Sequence, residues 1–331
     1  MKALVYQTAH KIEDFAIELI ELHEPVLREQ DVLIEVRAIG VNPGETFIRR
    51  TRSAQAGSCV LLGFEFAGVV VGVGTKVVAF GVGDRVFGTG DASRDGCWAE
   101  RVAVDHRVVS RIPDQLSFID AASLPIGSAT AWEAIFRDRD EPPTGVEHAL
   151  ILGGAGGVGS MAIQLLKART NAFVISSGSR PESRVWCEEM GADLVVDHTG
   201  DVAAQMAAAG IPHVDVVFST ADTAKNLGWI AGLLRPFGHL SFVDGSAALD
   251  VSPLVSKSIS LHTEMVFSRV IHANQPERQG KILETVAALV LGGRIKPITK
   301  KPLDGLTVET MKAAHELLET GRTIGKIVIA T

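Results

Sequence analysis

The segment that most restricts how this chain can fold is His148–Gly159. An apolar run, His148-Ala149-Leu150-Ile151-Leu152, leads into Gly153-Gly154-Ala155-Gly156-Gly157-Val158-Gly159, and a helical run, Ser160-Met161-Ala162-Ile163-Gln164-Leu165-Leu166, follows. Gly154–Gly159 fits G-x-G-x-x-G, which means little alone and much between a strand and a helix. Gly154 permits the tight turn, Gly156 lets the backbone approach a pyrophosphate, and Gly159 lets helix and strand pack closely. Gly157 and Val158 open the helix, whose free N–H groups and positive dipole end favour phosphate. The expectation is a dinucleotide site on Gly154, Gly156, Gly157, Val158 and Gly159.

Which dinucleotide depends on the end of the next strand. A site for the 2′-hydroxyl form carries Asp or Glu about 20 residues on. Here Ala172-Phe173-Val174-Ile175-Ser176 runs into Ser177-Gly178-Ser179-Arg180-Pro181, with Gly178 near where the acid would fall. An acid repels a 2′-phosphate, whereas Ser177, Ser179 and the Arg180 guanidinium can hydrogen-bond one. The residues therefore point to NADPH.

The rest of the chain gives this motif a setting. Its 331 residues suffice for two domains. The first part reads as strands and turns, with Leu33–Ala38 alternating and Gly63–Gly90 cut by glycine turns, as in a small curled β-structure. A helix is expected from Leu124 to about Arg137, then a charged, proline-ended surface link, Arg137–Pro143. From His148, strands and helices alternate: strands at Ala172–Ser176, Leu194–Asp197, Val214–Phe218, His239–Val243 and Ser258–Glu264, helices at Gly157–Ala168, Ser183–Met190 and Val202–Ala209. Such alternation predicts a doubly wound parallel sheet, an α/β fold. Helices near Pro276–Leu291 and Val308–Glu319 follow, then a strand, Lys326–Ala330, which needs a host sheet in the first part. The division expected is 1–124 with 266–331, and 125–265 inserted between them.

Composition excludes several classes. A net charge of 32 − 39 = −7 does not suit general nucleic-acid or anionic-membrane binding. No apolar run is long enough to span a membrane, and no secretory signal is evident. Cys59, Cys97 and Cys187 are too few for a disulfide scaffold or a four-cysteine zinc site, which fits a cytoplasmic protein.

The chain resembles the medium-chain dehydrogenase/reductases, in the quinone oxidoreductase branch. The resemblance rests on Gly40-Val41-Asn42-Pro43, Gly83-Asp84-Arg85-Val86, Ala121–Pro125, Thr130-Ala131-Trp132, the glycine motif, Gly191-Ala192-Asp193 and Gly325-Lys326-Ile327-Val328. Lys257–Met265 and Phe267-Ser268-Arg269 are similar to a bacterial subgroup called zinc-type alcohol dehydrogenase-like. The resemblance implies a Rossmann domain inserted in a GroES-like β-barrel catalytic domain, an active site in the cleft between them, and a homodimer through the Rossmann sheet edge, which would place Lys257–Glu264 there.

Zinc-dependent relatives place a Cys early and then a His-Glu pair. Asn42 and Phe64 stand at those positions here, and Glu65 alone cannot supply the roughly three protein ligands of a catalytic zinc, so no metal is expected. Without a Lewis acid the chemistry expected is reduction of an acceptor that is already electrophilic, a quinone or an α,β-unsaturated carbonyl. Asn42 is then the best hydrogen-bond donor near the nicotinamide and Glu45 a weaker catalytic candidate, at a position that is often Asp. Arg49 either meets a polar substrate or belongs to a solvated arginine pair. Tyr6 is a proton donor or a core residue. His262 and Glu264 approach the cleft or lie at the dimer edge. By resemblance, Thr130 lies near the nicotinamide ribose and Lys326 faces the cofactor. Ser219, Thr220, Phe242 and Val243, at carboxyl ends of parallel strands, line the dinucleotide crevice. The alternatives are a medium-chain alcohol dehydrogenase or carbonyl reductase for simple aldehydes or ketones, and a catalytically idle NADPH-binding protein.

Overall fold

The computed structural model describes residues 1–137, 140–143, 145–246 and 248–331. Asp138 and Arg139 of the expected surface link lie outside the described residues. The chain divides into two compact units, Met1–Ile126 with Phe267–Gly292 and Pro297–Thr331, and Gly127–Val266 with Gly293–Lys296.

The first unit begins with β1 (Lys2–Tyr6), β2 (Glu18–Glu21), β3 (Asp31–Val41), α1 (Pro43–Thr51), β4 (Val60–Leu61), β5 (Glu65–Val73), β6 (Arg85–Thr89), β7 (Arg101–Asp105), β8 (Val109–Arg111) and the short α2 (Phe118–Ala121). The long β3 organises it, pairing antiparallel with β5 and with β7. Two register shifts along the β3–β5 ladder, after Leu33 and Val36, bend the pair as bulges do. The Asn42-Pro43 dipeptide starts a helix here. Asn42 is extended, as a residue before proline prefers, and Pro43 occupies the first helical position, where its missing N–H costs nothing.

The second unit holds α3 (Pro125–Ile135), which opens at the boundary, then β9 (His148–Leu152), α4 (Gly157–Arg169), β10 (Phe173–Ser177), α5 (Pro181–Glu189), β11 (Leu194–Val196), α6 (Val202–Ala208), β12 (Val214–Ser219), α7 (Thr223–Leu233), β13 (Leu234–Phe242), α8 (Ser252–Val255) and β14 (Ser260–Thr263). Its six strands run in the order β11-β10-β9-β12-β13-β14. All neighbours are parallel. Renumbered from β9, this is the doubly wound order 3-2-1-4-5-6, whose switch point lies between β9 and β12. The motif strand β9 is central and buried from Ala149 to Leu152, as a sheet covered on both faces requires.

In the second unit α7 and the start of β13 depart from the sequence pattern. Helix α7 was not expected, because Gly228 and Gly232 lower helix propensity. Its Leu227, Ile230, Ala231 and Leu233 join the core of this unit with Leu150, Val217 and Leu240, and that burial outweighs the glycines. Strand β13 starts at Leu234, but its ladder with β12 breaks between Val214 and Val216 and resumes at His239, where the alternation had placed its start.

The chain then returns to the first unit with α9 (Ser268–Ile271), α10 (Glu277–Leu291), β15 (Thr299–Asp304), α11 (Val308–Glu319) and β16 (Lys326–Ala330). β16 lies between β15, parallel, and β3, antiparallel, with Ile327 opposite Val41. The terminal strand thus finds its host in the N-terminal sheet and sets Lys326 beside the end of β3. Among the described residues no helix is long and apolar enough to cross a membrane.

Candidate active site

In the second unit the glycine turn sits at the carboxyl ends of β9, β10 and β12. Its glycines fall into two kinds. A Cβ on Gly154 would lie 1.7 Å from Ser176 Oγ, and one on Gly159 would lie 2.3 Å from the Gly153 carbonyl and 2.6 Å from Gly154 Cα. These two are glycine because the protein itself fills the space. A Cβ on Gly156 would meet only the Gly153 carbonyl, at 3.5 Å, so that face is open. The backbone is therefore exposed where a pyrophosphate would approach.

Helix α4, which starts there, has Gly156 as its cap, no side-chain cap and no acid in its first turn. Each of the other helix starts near these strand ends carries an acid. Ser183 and Glu182 stand in the first turn of α5, Asp201 caps α6, and Asp244 accepts from Thr223 N at the start of α7. Of these four helices, only α4 has, among the described residues, neither an acid in its first turn nor a carboxylate on its first N–H groups, which favours an external anion there. The cradle fits a dinucleotide.

The side chains expected around it have mixed fates. Ser177 Oγ accepts the Gly153 N–H at 2.9 Å and so shapes the turn. Thr220 Oγ donates to Leu152 O at 2.8 Å, and Ser219 accepts from Thr223 Oγ at 2.7 Å. These hydroxyls hold the strand ends together. Val243 joins them through its N–H to Ser219 O, and the Phe242 carbonyl accepts from Glu264 N. Thr130, buried on α3, and Ser179 make no side-chain hydrogen bond among the described residues. The Arg180 guanidinium reaches Glu182 at 3.0 Å. Glu182 escaped the sequence argument, which looked for an acid at the strand end and not on the first turn of the helix after it.

The first unit gathers a second group. Glu65, fully buried at the start of β5, accepts from Ile126 N at 2.8 Å and from Asn42 Nδ2 at 3.1 Å, and it pairs with Lys326. Lys326 also donates to Asn42 Oδ1. The amide orientation is fixed by chemistry, because its NH2 faces a carboxylate and its oxygen faces an ammonium. An ammonium has three donors, and two of those on Lys326 are used here. The close packing demands a glycine nearby, since a Cβ on Gly40 would fall 2.6 Å from Glu65 Oε2. Glu45 lies below, accepting from Asn42 N at 2.7 Å and Phe64 N at 3.0 Å. Burial pushes its carboxyl up to about 8, against the pull of those N–H groups and Lys326. Sequence reasoning weighed Glu65 only as a metal ligand. Its ion pair to Lys326 joins residues far apart in the chain.

Other candidates are placed differently. Arg49 belongs neither to a solvated pair nor to an open surface. It is fully buried and paired with Glu319 of α11, because helical spacing puts Glu45, Thr46 and Arg49 on the inward face of α1 and leaves Arg50 outside. Tyr6 is a core residue, its ring edge-on to His10 at 5.2 Å, with burial raising its phenol. His262, on the edge strand β14, lies 3.2 Å from Glu264.

Two family models match this chain, the alcohol dehydrogenase GroES-like domain over residues 28–114 and the zinc-binding dehydrogenase over residues 190–329. A zinc-type alcohol dehydrogenase-like protein of Staphylococcus aureus is 35% identical over 99% of each chain. A 2-methylene-furan-3-one reductase of tomato, Solanum lycopersicum, is 28% identical over 99% of this chain and 79% of its own. The crystal structure of a candidate zinc-dependent alcohol dehydrogenase of Rhizobium etli is 38% identical, covering 100% of this chain and 98% of that one, with a TM-score of 0.96. A quinone oxidoreductase of Coxiella burnetii, 25% identical over 100% and 99% of the two chains, superimposes with a TM-score of 0.82.

The metal in several of these names does not suit the residues present. Among the described residues no group of three or more His, Cys, Asp or Glu is placed to hold a metal ion. Phe64 turns its ring to Phe267 at 5.2 Å, Asn42 is a poor zinc ligand, and the charge of Glu65 is matched by Lys326. With the fold, the glycine cradle and relatives along its whole length, the chain is an oxidoreductase of the medium-chain dehydrogenase/reductase superfamily, among the zinc-type alcohol dehydrogenase-like proteins.

Proposed function

We propose that the protein is an NADPH-dependent reductase of quinones or α,β-unsaturated carbonyls that works without a metal. The observation that carries this reading is the uncapped, acid-free start of α4 behind the open face of Gly156, taken with a following strand that ends in Ser177-Gly178-Ser179-Arg180. The α4 N–H groups would hold the pyrophosphate, Arg180 and Ser179 the 2′-phosphate, and Thr130 the nicotinamide ribose. Bound NADPH supplies a hydride from nicotinamide C4.

The protein's part is to bind, orient and polarise. Asn42 is held by Glu65 and Lys326, so its amide works chiefly as a fixed bridge. Among the described residues the third N–H of Lys326 has no partner, and it is assigned to an oxygen of the acceptor. Glu45 fixes the turn through Asn42 N and Phe64 N. Proton delivery to the acceptor is assigned to solvent. The names of the tomato and Coxiella relatives, a 2-methylene-furan-3-one reductase and a quinone oxidoreductase, support the substrate class, since a 2-methylene-3-one is an α,β-unsaturated ketone. A second copy of the chain would pair along the outer edge of β14.

The test is NADPH oxidation against quinones, enones and simple aldehydes or ketones, before and after prolonged chelation. Turnover with quinones or enones that survives chelation is expected. Turnover restricted to aldehydes or ketones, or activity lost with zinc and restored by it, overturns the reading. No turnover with any of them, alongside tight NADPH binding, would make this a binding protein.

A further inference from the structure

We infer that Glu182 is a second determinant of cofactor choice, an internal competitor that occupies Arg180 until a 2′-phosphate displaces it; this rests on the NADPH reading above. Arg180 ends the loop after β10, and Pro181 and Glu182 begin α5. Backbone and loop are held independently of the ion pair. Ser183 Oγ accepts from Arg180 N at 3.1 Å and donates to Arg180 O at 2.8 Å. Arg184 donates to Gly178 O at 3.3 Å and Val195 O at 2.9 Å, fastening the loop to the sheet. The loop backbone therefore does not depend on the Arg180–Glu182 pair. Glu182 accepts from the guanidinium at 3.0 Å, with the two side chains 25% and 57% exposed.

An ion pair that exposed is weak, and a guanidinium–phosphate contact is stronger. A phosphate dianion can therefore take the guanidinium, but Glu182 opposes it twice, by holding the donor and by repelling the newcomer. Toward a ribose that carries a free 2′-hydroxyl the same carboxylate is an acceptor. It offers, from the first turn of α5, the contact that an acid at the strand end usually makes. The loop thus carries a group for each cofactor, and Glu182 narrows the preference that Arg180 creates.

The probes are adenosine 2′,5′-bisphosphate and ADP-ribose, titrated calorimetrically so that no turnover is needed. Glu182→Gln should bind the bisphosphate about 2- to 10-fold more tightly at low salt, the range set by a weak exposed ion pair plus one like-charge contact, with no gain for ADP-ribose. High salt should shrink the gain. In an Arg180→Ala background the same substitution should gain less. Thermal melting checks that each variant is folded. Unchanged or weaker bisphosphate binding by Glu182→Gln overturns the inference, as does a gain of equal size without Arg180. If Arg180→Ala alone leaves bisphosphate affinity unchanged, the NADPH reading falls, and the inference with it. If that variant loses affinity while Glu182→Gln changes nothing, only the inference falls.

Discussion

At the scale of single residues, Gly156 and Gly159 sit three apart in one turn and answer to different forces. The Gly156 face is open, so Gly156→Val should abolish NADPH binding, read by fluorescence titration, with a melting temperature close to the parent's. A Cβ on Gly159 would strike the Gly153 carbonyl and Gly154 Cα, so Gly159→Val should melt far lower or fail to fold. Binding retained by a folded Gly156→Val protein would refute the cradle. Titration separates two other buried residues. Glu45, raised to about 8 by burial, holds its proton more tightly in the folded chain than in the unfolded one. Its contribution is complete below about pH 4.5 and is lost as pH rises through 8. Glu45→Gln should therefore flatten the fall in melting temperature between about pH 5 and 9. His315 is the opposite case. Burial, Arg49 and His10 lower it to about 3, so stability present above about pH 6.5 is lost as pH falls toward 3. His315→Leu, which also removes two buried ring nitrogens that have no hydrogen-bond partner among the described residues, should resist acid better than the parent. Urea melts across both ranges test the pair.

At the scale of elements, α1 and α11 are tied by the Arg49–Glu319 pair, with Arg49 fully buried. Removing one partner of a buried pair leaves the other uncompensated and costs about 3–5 kcal/mol. Glu319 is partly exposed, so Arg49→Met should fall near the lower figure in chemical denaturation. A change under about 1 kcal/mol would show that the pair is effectively solvated. The helices also show what sequence patterns reach. Helix α4 and β9 were legible because an apolar strand, a glycine turn and an apolar helix are consecutive. Helix α1 was not, since Asn42-Pro43 reads equally well as a turn, and neither was α7, where packing on the sheet overrides two glycines.

At the scale of the whole molecule, β16 closes the first unit between β3 and β15. Ending the chain after Gly325 removes that strand and Lys326 together. The truncated protein should lose the first unit's protection in hydrogen exchange, whereas β9, β10 and β12 of the second unit, which among the described residues pair with one another and with β11 and β13, should retain theirs. Protection retained in β3 would contradict this role for β16. The outer edge of β14 is the proposed site of self-association. Leu261→Pro, which removes a backbone donor from that strand, should convert a dimer to a monomer in sedimentation. An already monomeric parent would end the proposal.

The sequence by itself determined the parallel sheet, its glycine cradle and the absence of an acid at the end of β10, because each rests on residues adjacent in the chain. Local order is enough to set a strand, a turn and a helix in succession. Only the tertiary structure decided which polar residues meet. Glu65, Asn42 and Lys326 come from distant segments joined when β5 and β16 both pair with β3, and Arg49 meets Glu319 where α11 packs on α1. Glu182 is close in sequence to Arg180, yet their contact depends on where α5 begins. Burial then changed the chemistry of Glu45, whose carboxyl leaves its ordinary range because the fold takes it out of water.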